Sequence, residues 1–195
     1  DLGSKYIQAV KRRHPDVITV YGGPNYPDEP DEQADWLREH PEMDFYIYKD
    51  GEVPFTALLK QLLDNPDLDT AKRAKLPSIH GLIGDEAFVG ETEPRLRDLT
   101  AIPSPYTSGL MDKFFSQRLI PTIQTNRGCP FTCTFCTEGG YYYNKVYKSS
   151  LERKIAEVDY IVEHIEHTQT LRITDSNFGM FNEDQDFCEH LSKMQ

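Results

Sequence analysis

Cys129, Cys133 and Cys136 are three of the chain's four cysteines, and they fall within eight residues, spaced C-x3-C-x2-C in Gly128-Cys129-Pro130-Phe131-Thr132-Cys133-Thr134-Phe135-Cys136. Thiolates are soft ligands that select iron–sulfur clusters, zinc or copper(I). Zinc sites usually pair C-x2-C units, or mix Cys with His, to close a tetrahedron. Here there is one odd triplet and no second knuckle. A cubane cluster has about four irons, and electron carriers usually give each a protein ligand. Three thiolates leave one iron open to bind a substrate or cofactor directly. The triplet is therefore read as the seat of a catalytic iron–sulfur cluster.

Other residues carry chemistry in two readings each. Gly22 and Gly23 allow a ligand close to the backbone, or simply make a tight turn. Asp175, at the end of an expected strand, faces a ligand or caps the following turn. Glu52 is an exposed carboxylate or an acid at a helix N-terminus. Cys188 and His190 offer a fourth ligand that would convert the site to zinc or to a closed cluster, or Cys188 is a small core residue. Tyr141, Tyr142 and Tyr143 wall the site or form a surface loop over it.

Helix, strand and glycine turn alternate around these positions. Apolar groups at Tyr6, Ile7 and Val10 predict a helix over 4–13, ended by Pro15. Residues 16–21 (DVITVY) read as a strand that stops at Gly22-Gly23-Pro24. A helix over 30–40 with Trp36 and Leu37 inward, a strand over 43–48 and a helix over 53–63 follow, the last with Phe55, Leu58, Leu59 and Leu62 on one face. Residues 65–77 read as loop, and 78–83 with 87–89 as a hairpin. The prolines of 91–109 mark a linker. Beyond it, residues 119–125 (LIPTIQT) read as a short buried strand leading into the cysteines. A helix over 150–167 capped by Ser149 or Ser150, a strand over 170–174 and a helix opening at Asn182 complete the chain. The expected fold class is α/β. Residues 1–90 read as an open parallel sheet and 110–195 as the opening of a barrel or of an open α/β sheet, with chemistry at the C-terminal ends of the strands.

Composition narrows the partners. The 195 residues carry a net charge of −11, from 32 acidic and 21 basic side chains. Binding to phosphate backbones needs clustered Lys and Arg, and the one basic cluster, Lys11-Arg12-Arg13, reads as a solvated helix face. Nucleic acid is not favoured. No run of about 18 apolar residues predicts a membrane-spanning helix, no secretory signal opens the chain, and the cysteine usage fits the cytoplasm. Both termini interrupt helical patterns, so the chain reads as a piece of a longer protein.

Arg127 to Cys136 resembles the signature of the radical S-adenosylmethionine (radical SAM) superfamily, C-x3-C-x-aromatic-C after the first strand of a partial barrel, with Phe135 in the aromatic place. The resemblance implies that Cys129, Cys133 and Cys136 bind three irons of a 4Fe-4S cluster, that the fourth iron chelates SAM, and that Phe135 lies against the adenine. It implies reductive cleavage of SAM to a 5′-deoxyadenosyl radical, with electrons from a flavodoxin- or ferredoxin-like donor, acting on a small-molecule substrate. The Gly-Gly-Glu element of many members is replaced here by Asp175-Ser176-Asn177-Phe178, similar to the Asp-rich strand ends of the cobalamin-associated branch. Asp175 is then expected to receive the SAM ammonium or to reach the substrate as a catalytic residue, and Asn177 to lie at SAM. Glu138-Gly139-Gly140 lies on the wrong loop to be that element.

Residues 1–65, through Val20-Tyr21-Gly22-Gly23-Pro24 and Gly51-Glu52, resemble the second half of the cobalamin-binding domain of that branch, with Gly22 and Gly23 flanking the nucleotide tail. The Asp-x-His-x-x-Gly element that supplies a histidine to cobalt is not in this sequence. The family resemblance implies half of a Rossmann-like sheet over 1–90 and the first strands of a partial (β/α) barrel over 110–195. Cobalamin-dependent methylation or rearrangement is the implied reaction. The competing reading is a zinc-stabilised or cobalamin-binding module without catalysis.

Overall fold

The computed structural model describes residues 2–194, in two compact units, Asp1–Arg95 and Leu96–Gln195. The first unit holds helix α1 (Leu2–Arg13), strand β1 (Val20–Gly22), α2 (Pro30–Glu39), β2 (Phe45–Ile47), α3 (Glu52–Asp64), α4 (Leu68–Arg73) and the strands β3 (Ile79–Ile83) and β4 (Glu86–Val89). The sheet order is β1-β2-β3-β4. β1 and β2 run parallel, with Val20 opposite Phe45, as helix-strand alternation predicts. β3 and β4 are antiparallel to their neighbours. The sheet is therefore mixed, not the open parallel sheet expected, because Ser78 to Val89 forms a hairpin that adds to β2 without a crossover.

β2 is buried throughout, and its alternation divides the core. Phe45 and Ile47 pack with Leu58, Ala71 and Ile79. Tyr46 and Tyr48 pack with Tyr26 and Leu37. Pro30 at the start of α2 and the acids of its first turn suit a helix N-terminus. Three expectations change. The 16–21 strand shortens to Val20–Gly22 with Val17 and Ile18 exposed, and Thr19 just before it donates its backbone N–H to Asp44 Oδ2 at 2.7 Å. The predicted loop 65–77 contains α4, capped by Asp67 on Thr70 N. Only Pro54 and Leu58 of α3 are buried, while Phe55 and Leu59 lie open.

The second unit holds α5 (Asp112–Phe115), the two-residue strands β5 (Thr122–Ile123), β6 (Asn126–Arg127) and β7 (Tyr147–Lys148), then α6 (Leu151–His164), β8 (Arg172–Ile173) and α7 (Asn182–Ser192). β5 and β8 pair in parallel, with α6 as the connection. Ser150 caps α6 by accepting from Arg153 N. The core is Tyr106, Phe115, Ile123, Val158, Ile161 and Phe187. Residues 91–109, expected as a linker, carry structure on both sides. Ser78 N donates to Glu91 O, while Tyr106 is buried and its hydroxyl bonds Thr122 O at 2.8 Å. The strand expected over 119–125 is only β5, and Leu119 and Ile120 are half exposed, so they are not the buried run the sequence suggested. Among the described residues no helix is long and apolar enough to cross a membrane.

Candidate functional site

β6 leads directly into the cysteines, and β7 returns from them. The two strands pair antiparallel, Asn126 opposite Lys148 and Arg127 opposite Tyr147, closing residues 128–146 into one loop. Cys129 N donates to Tyr143 O at 2.9 Å, Cys136 N to Cys133 O at 3.2 Å and Gly139 N to Cys136 O at 3.0 Å. Gly139 sits against the cysteine backbone so closely that a Cβ there would lie 2.2 Å from Cys133 O. All four cysteines are free thiols. Cys129 is half-buried; Cys133 and Cys136 are exposed. Among the described residues no three His, Cys, Asp or Glu groups are grouped as a ready metal site, the triplet included. The donor set still fits an iron–sulfur cluster, with three soft ligands, none sealed in a disulfide, on a loop folded back on itself.

Asp175, just beyond β8, has both carboxylate oxygens occupied. Oδ1 accepts from Thr125 N at 2.7 Å and Asn126 N at 3.2 Å. Oδ2 accepts from Asn126 Nδ2 at 2.9 Å and from the Thr125 hydroxyl. The neighbouring Ser176 donates to Glu138 Oε2 at 2.5 Å. Thus the end of β8 touches the loop's stem before Cys129 and its stem after Cys136. Asn177, expected at SAM, has its Nδ2 buried without a hydrogen-bond partner. Such an orphaned donor is costly unless something satisfies it. Phe135, the expected adenine contact, is 91% exposed.

Between α6 and α7 lies a buried charged pair. Lys154 Nζ stands 3.8 Å from Asp184 Oδ1, and neither atom has a hydrogen bond. Asp184 Oδ2 accepts from Gly179 N and Phe181 N, fixing the turn between β8 and α7. Cys188 is exposed, and His190 Nε2 lies 2.7 Å from Asp159 Oδ1.

In the first unit, Gly22 ends β1 and Gly23 follows with φ +122°, a backbone state that glycine adopts without strain. Nothing lies within 4 Å of where a Gly23 Cβ would be, so this turn is open to an approaching group. Tyr46 Oη donates to Gly23 O, and Tyr48 Oη and Lys49 Nζ both reach Asp28 Oδ1 at 2.5 Å. These bonds hold the Asp28 carboxyl below its usual range. Glu52 opens α3 as its first residue, in the helix N-terminal place.

Comparison with known proteins places this geometry. The chain is 34% identical, over 97% of its length, to the cobalamin-dependent radical SAM methyltransferase TokK of Streptomyces tokunonensis. It is a homologue of cobalamin-dependent radical SAM methyltransferases. The 2-(S-pantetheinyl)-carbapenam-3-carboxylate methyltransferase of Streptantibioticus cattleyicolor is 32% identical over 96% of the chain. The chain spans 27% of the length of each of these two enzymes. No family model matches. In fold, the chain is similar to the radical SAM methyltransferase TsrM from Kitasatospora setae, with a TM-score of 0.65 at 13% identity, over 98% of this chain and 36% of that one. It is equally similar to the cobalamin-dependent SAM radical enzyme OxsB, with a TM-score of 0.65 at 19% identity, over 99% of this chain and 26% of that one. Those structures include SAM, cobalamin and a [4Fe-4S] cluster bound to TsrM or OxsB.

Against that background, the radical SAM signature read from the sequence marks the loop but not the residues that shape it. Thr125 and Asn126 carry no signal in the sequence, Ser176 enters only as the neighbour of Asp175, and Glu138-Gly139-Gly140 is set aside as lying on the wrong loop. Gly139 carries a signal only in hindsight of its close contact, since Glu138-Gly139-Gly140 matches no element expected at that place.

Proposed function

We propose that this chain forms part of a cobalamin-dependent radical SAM methyltransferase acting on a small molecule, and that Cys129, Cys133 and Cys136 hold three irons of its 4Fe-4S cluster. The observation that carries the reading is the free-thiol triplet on a backbone-closed loop at the C-terminal end of the parallel pair β5–β8. When bound, the cluster supplies an electron for reductive cleavage of SAM, with a flavodoxin- or ferredoxin-like protein as donor. Cys133 and Cys136 are exposed, open to cluster assembly, and Cys129 sits partly shielded at the loop base. Phe135 offers an exposed ring face for the adenine, and the unpaired Asn177 amide offers SAM a donor.

In the first unit Gly22 and Gly23 would flank cobalamin, where the open turn leaves room for it. We assign residues 1–90 to a Rossmann-like cobalamin-binding domain and 110–195 to the opening of a (β/α) barrel. The proposed location is the cytoplasm, where thiols stay reduced.

Anaerobic reconstitution with iron and sulfide tests this reading. The expected product is a brown chain whose EPR spectrum changes on addition of SAM, and Cys133→Ala abolishes it while Cys188→Ala does not. Tight stoichiometric zinc without iron uptake would overturn it. Retention of hydroxocobalamin through desalting tests the first unit, and complete loss of the colour refutes that assignment.

A further inference from the structure

We propose that Asp175 and Ser176 are positioning residues that clip the two stems of the cysteine loop together, and that Asp175 is not a ligand for SAM or substrate; this rests on the loop being the cluster seat. An ionised carboxylate has about four acceptor directions. At Asp175 four donors from Thr125 and Asn126 already use them. An incoming ammonium would have to displace one. Asn126 and Thr125 stand just before Arg127-Gly128-Cys129, and Glu138 stands two positions after Cys136. One dipeptide at the end of β8 therefore grips both stems, Asp175 the first and Ser176 the second. The Asn126 amide is turned to give its NH2 to Asp175, which leaves Asn126 Oδ1 buried and unpaired. That unpaired oxygen is what the grip costs, and it shows the carboxylate dictating the orientation.

The clip is tested first on the metal-free full chain, by the rate at which iodoacetamide alkylates the half-buried Cys129, with the exposed Cys188 as internal reference. Asp175→Asn places an amide opposite Asn126 Nδ2 and is expected to raise the Cys129 rate about tenfold, as loss of a charge-assisted bond frees local opening. The double variant Asn126→Asp/Asp175→Asn exchanges donor and acceptor, the Thr125 hydroxyl reverses to accept, and the rate returns toward that of the parent. Ser176→Ala, at an exposed position, is expected to raise it several-fold with an unchanged far-UV circular dichroism spectrum; it decides the matter if Asp175→Asn fails to fold. Unchanged Cys129 rates in these variants overturn the proposal.

On the reconstituted chain, iron release to a chelator is expected to quicken in Asp175→Asn and Ser176→Ala, and to recover in the double variant. Parent-like iron release in Asp175→Asn, with loss of only the SAM-induced EPR change, overturns the proposal in favour of direct ligation. If the parent chain takes up no iron, the cluster reading fails, and the alkylation experiment still decides the clip.

Discussion

Tyr46 donates its hydroxyl to the carbonyl oxygen of Gly23 at 2.7 Å. The turn after β1 is therefore held from β2, the buried strand beside it. Gly23 takes φ +122°, so its shape is also set from within. Tyr46→Phe is expected to lower the stability of the first unit by about 1 kcal/mol, one net hydrogen bond. Gly23→Ala is expected to cost about 1–2 kcal/mol through a strained φ, since the space around it is free. Urea unfolding of both variants checks the values, and both should retain cobalamin less well.

His80 is 1% exposed, with Nδ1 3.0 Å from the Tyr26 hydroxyl. Burial disfavours the imidazolium and pushes its pKa down to about 4 from 6.5. The unfolded chain therefore takes up the proton first as pH falls. His80 contributes no pH-dependent loss above pH 6.5; stability drains between pH 6.5 and about 4 and levels off below. The full span amounts to about 3 kcal/mol. Urea midpoints between pH 7.5 and 4 should fall steeply in the parent chain and much less in His80→Gln. Equal slopes would sink the assignment.

Gly139 tolerates no side chain without movement of the cysteine backbone, because a Cβ would meet Cys133 O, C and N at 2.2, 3.1 and 3.1 Å. All three atoms are main chain, so no rotamer relieves the clash. Gly139→Ala is expected to cost about 1–3 kcal/mol as an overpacked contact. Iron content after reconstitution should drop, whereas Gly140→Ala, where a Cβ meets nothing within 4 Å, should load normally.

Phe135 is too exposed to stabilise the folded chain. Phe135→Ala should change the unfolding free energy by no more than about 0.5 kcal/mol. If its ring stacks on adenine, the same variant should weaken SAM binding, measured by titration of the EPR change. A variant that loses stability but binds SAM normally would remove Phe135 from the site.

The elements with strong periodicity were legible in the sequence. α6 lies within one turn of its expected ends, and Ser150 caps it; the parallel pairing of β5 with β8 followed from strand-helix-strand order. What misled was apolar content without a partner. Val17, Ile18, Leu119 and Ile120 look like strand residues, yet lie partly exposed outside β1 and β5. The mixed sheet was hidden because a hairpin signals its own turn, at Gly84, but not which strand it joins. At the candidate site, the sequence singles out the cysteines by ligand type and spacing, since cluster chemistry constrains both. The partners of Asp175 were invisible, because a Thr-Asn dipeptide far off in the chain has no local pattern to mark it.

Asp175 reaches its partners across a separation of 50 residues for Thr125 and 49 for Asn126. Such closures come late in folding, since the chain between must first be brought round at an entropic cost. While β8 is undocked, the first stem of the loop lacks its anchor, and the three thiols belong to a wandering segment. If this loop holds the proposed cluster, iron would find a lasting place on it only after β8 has docked and the stems are drawn together.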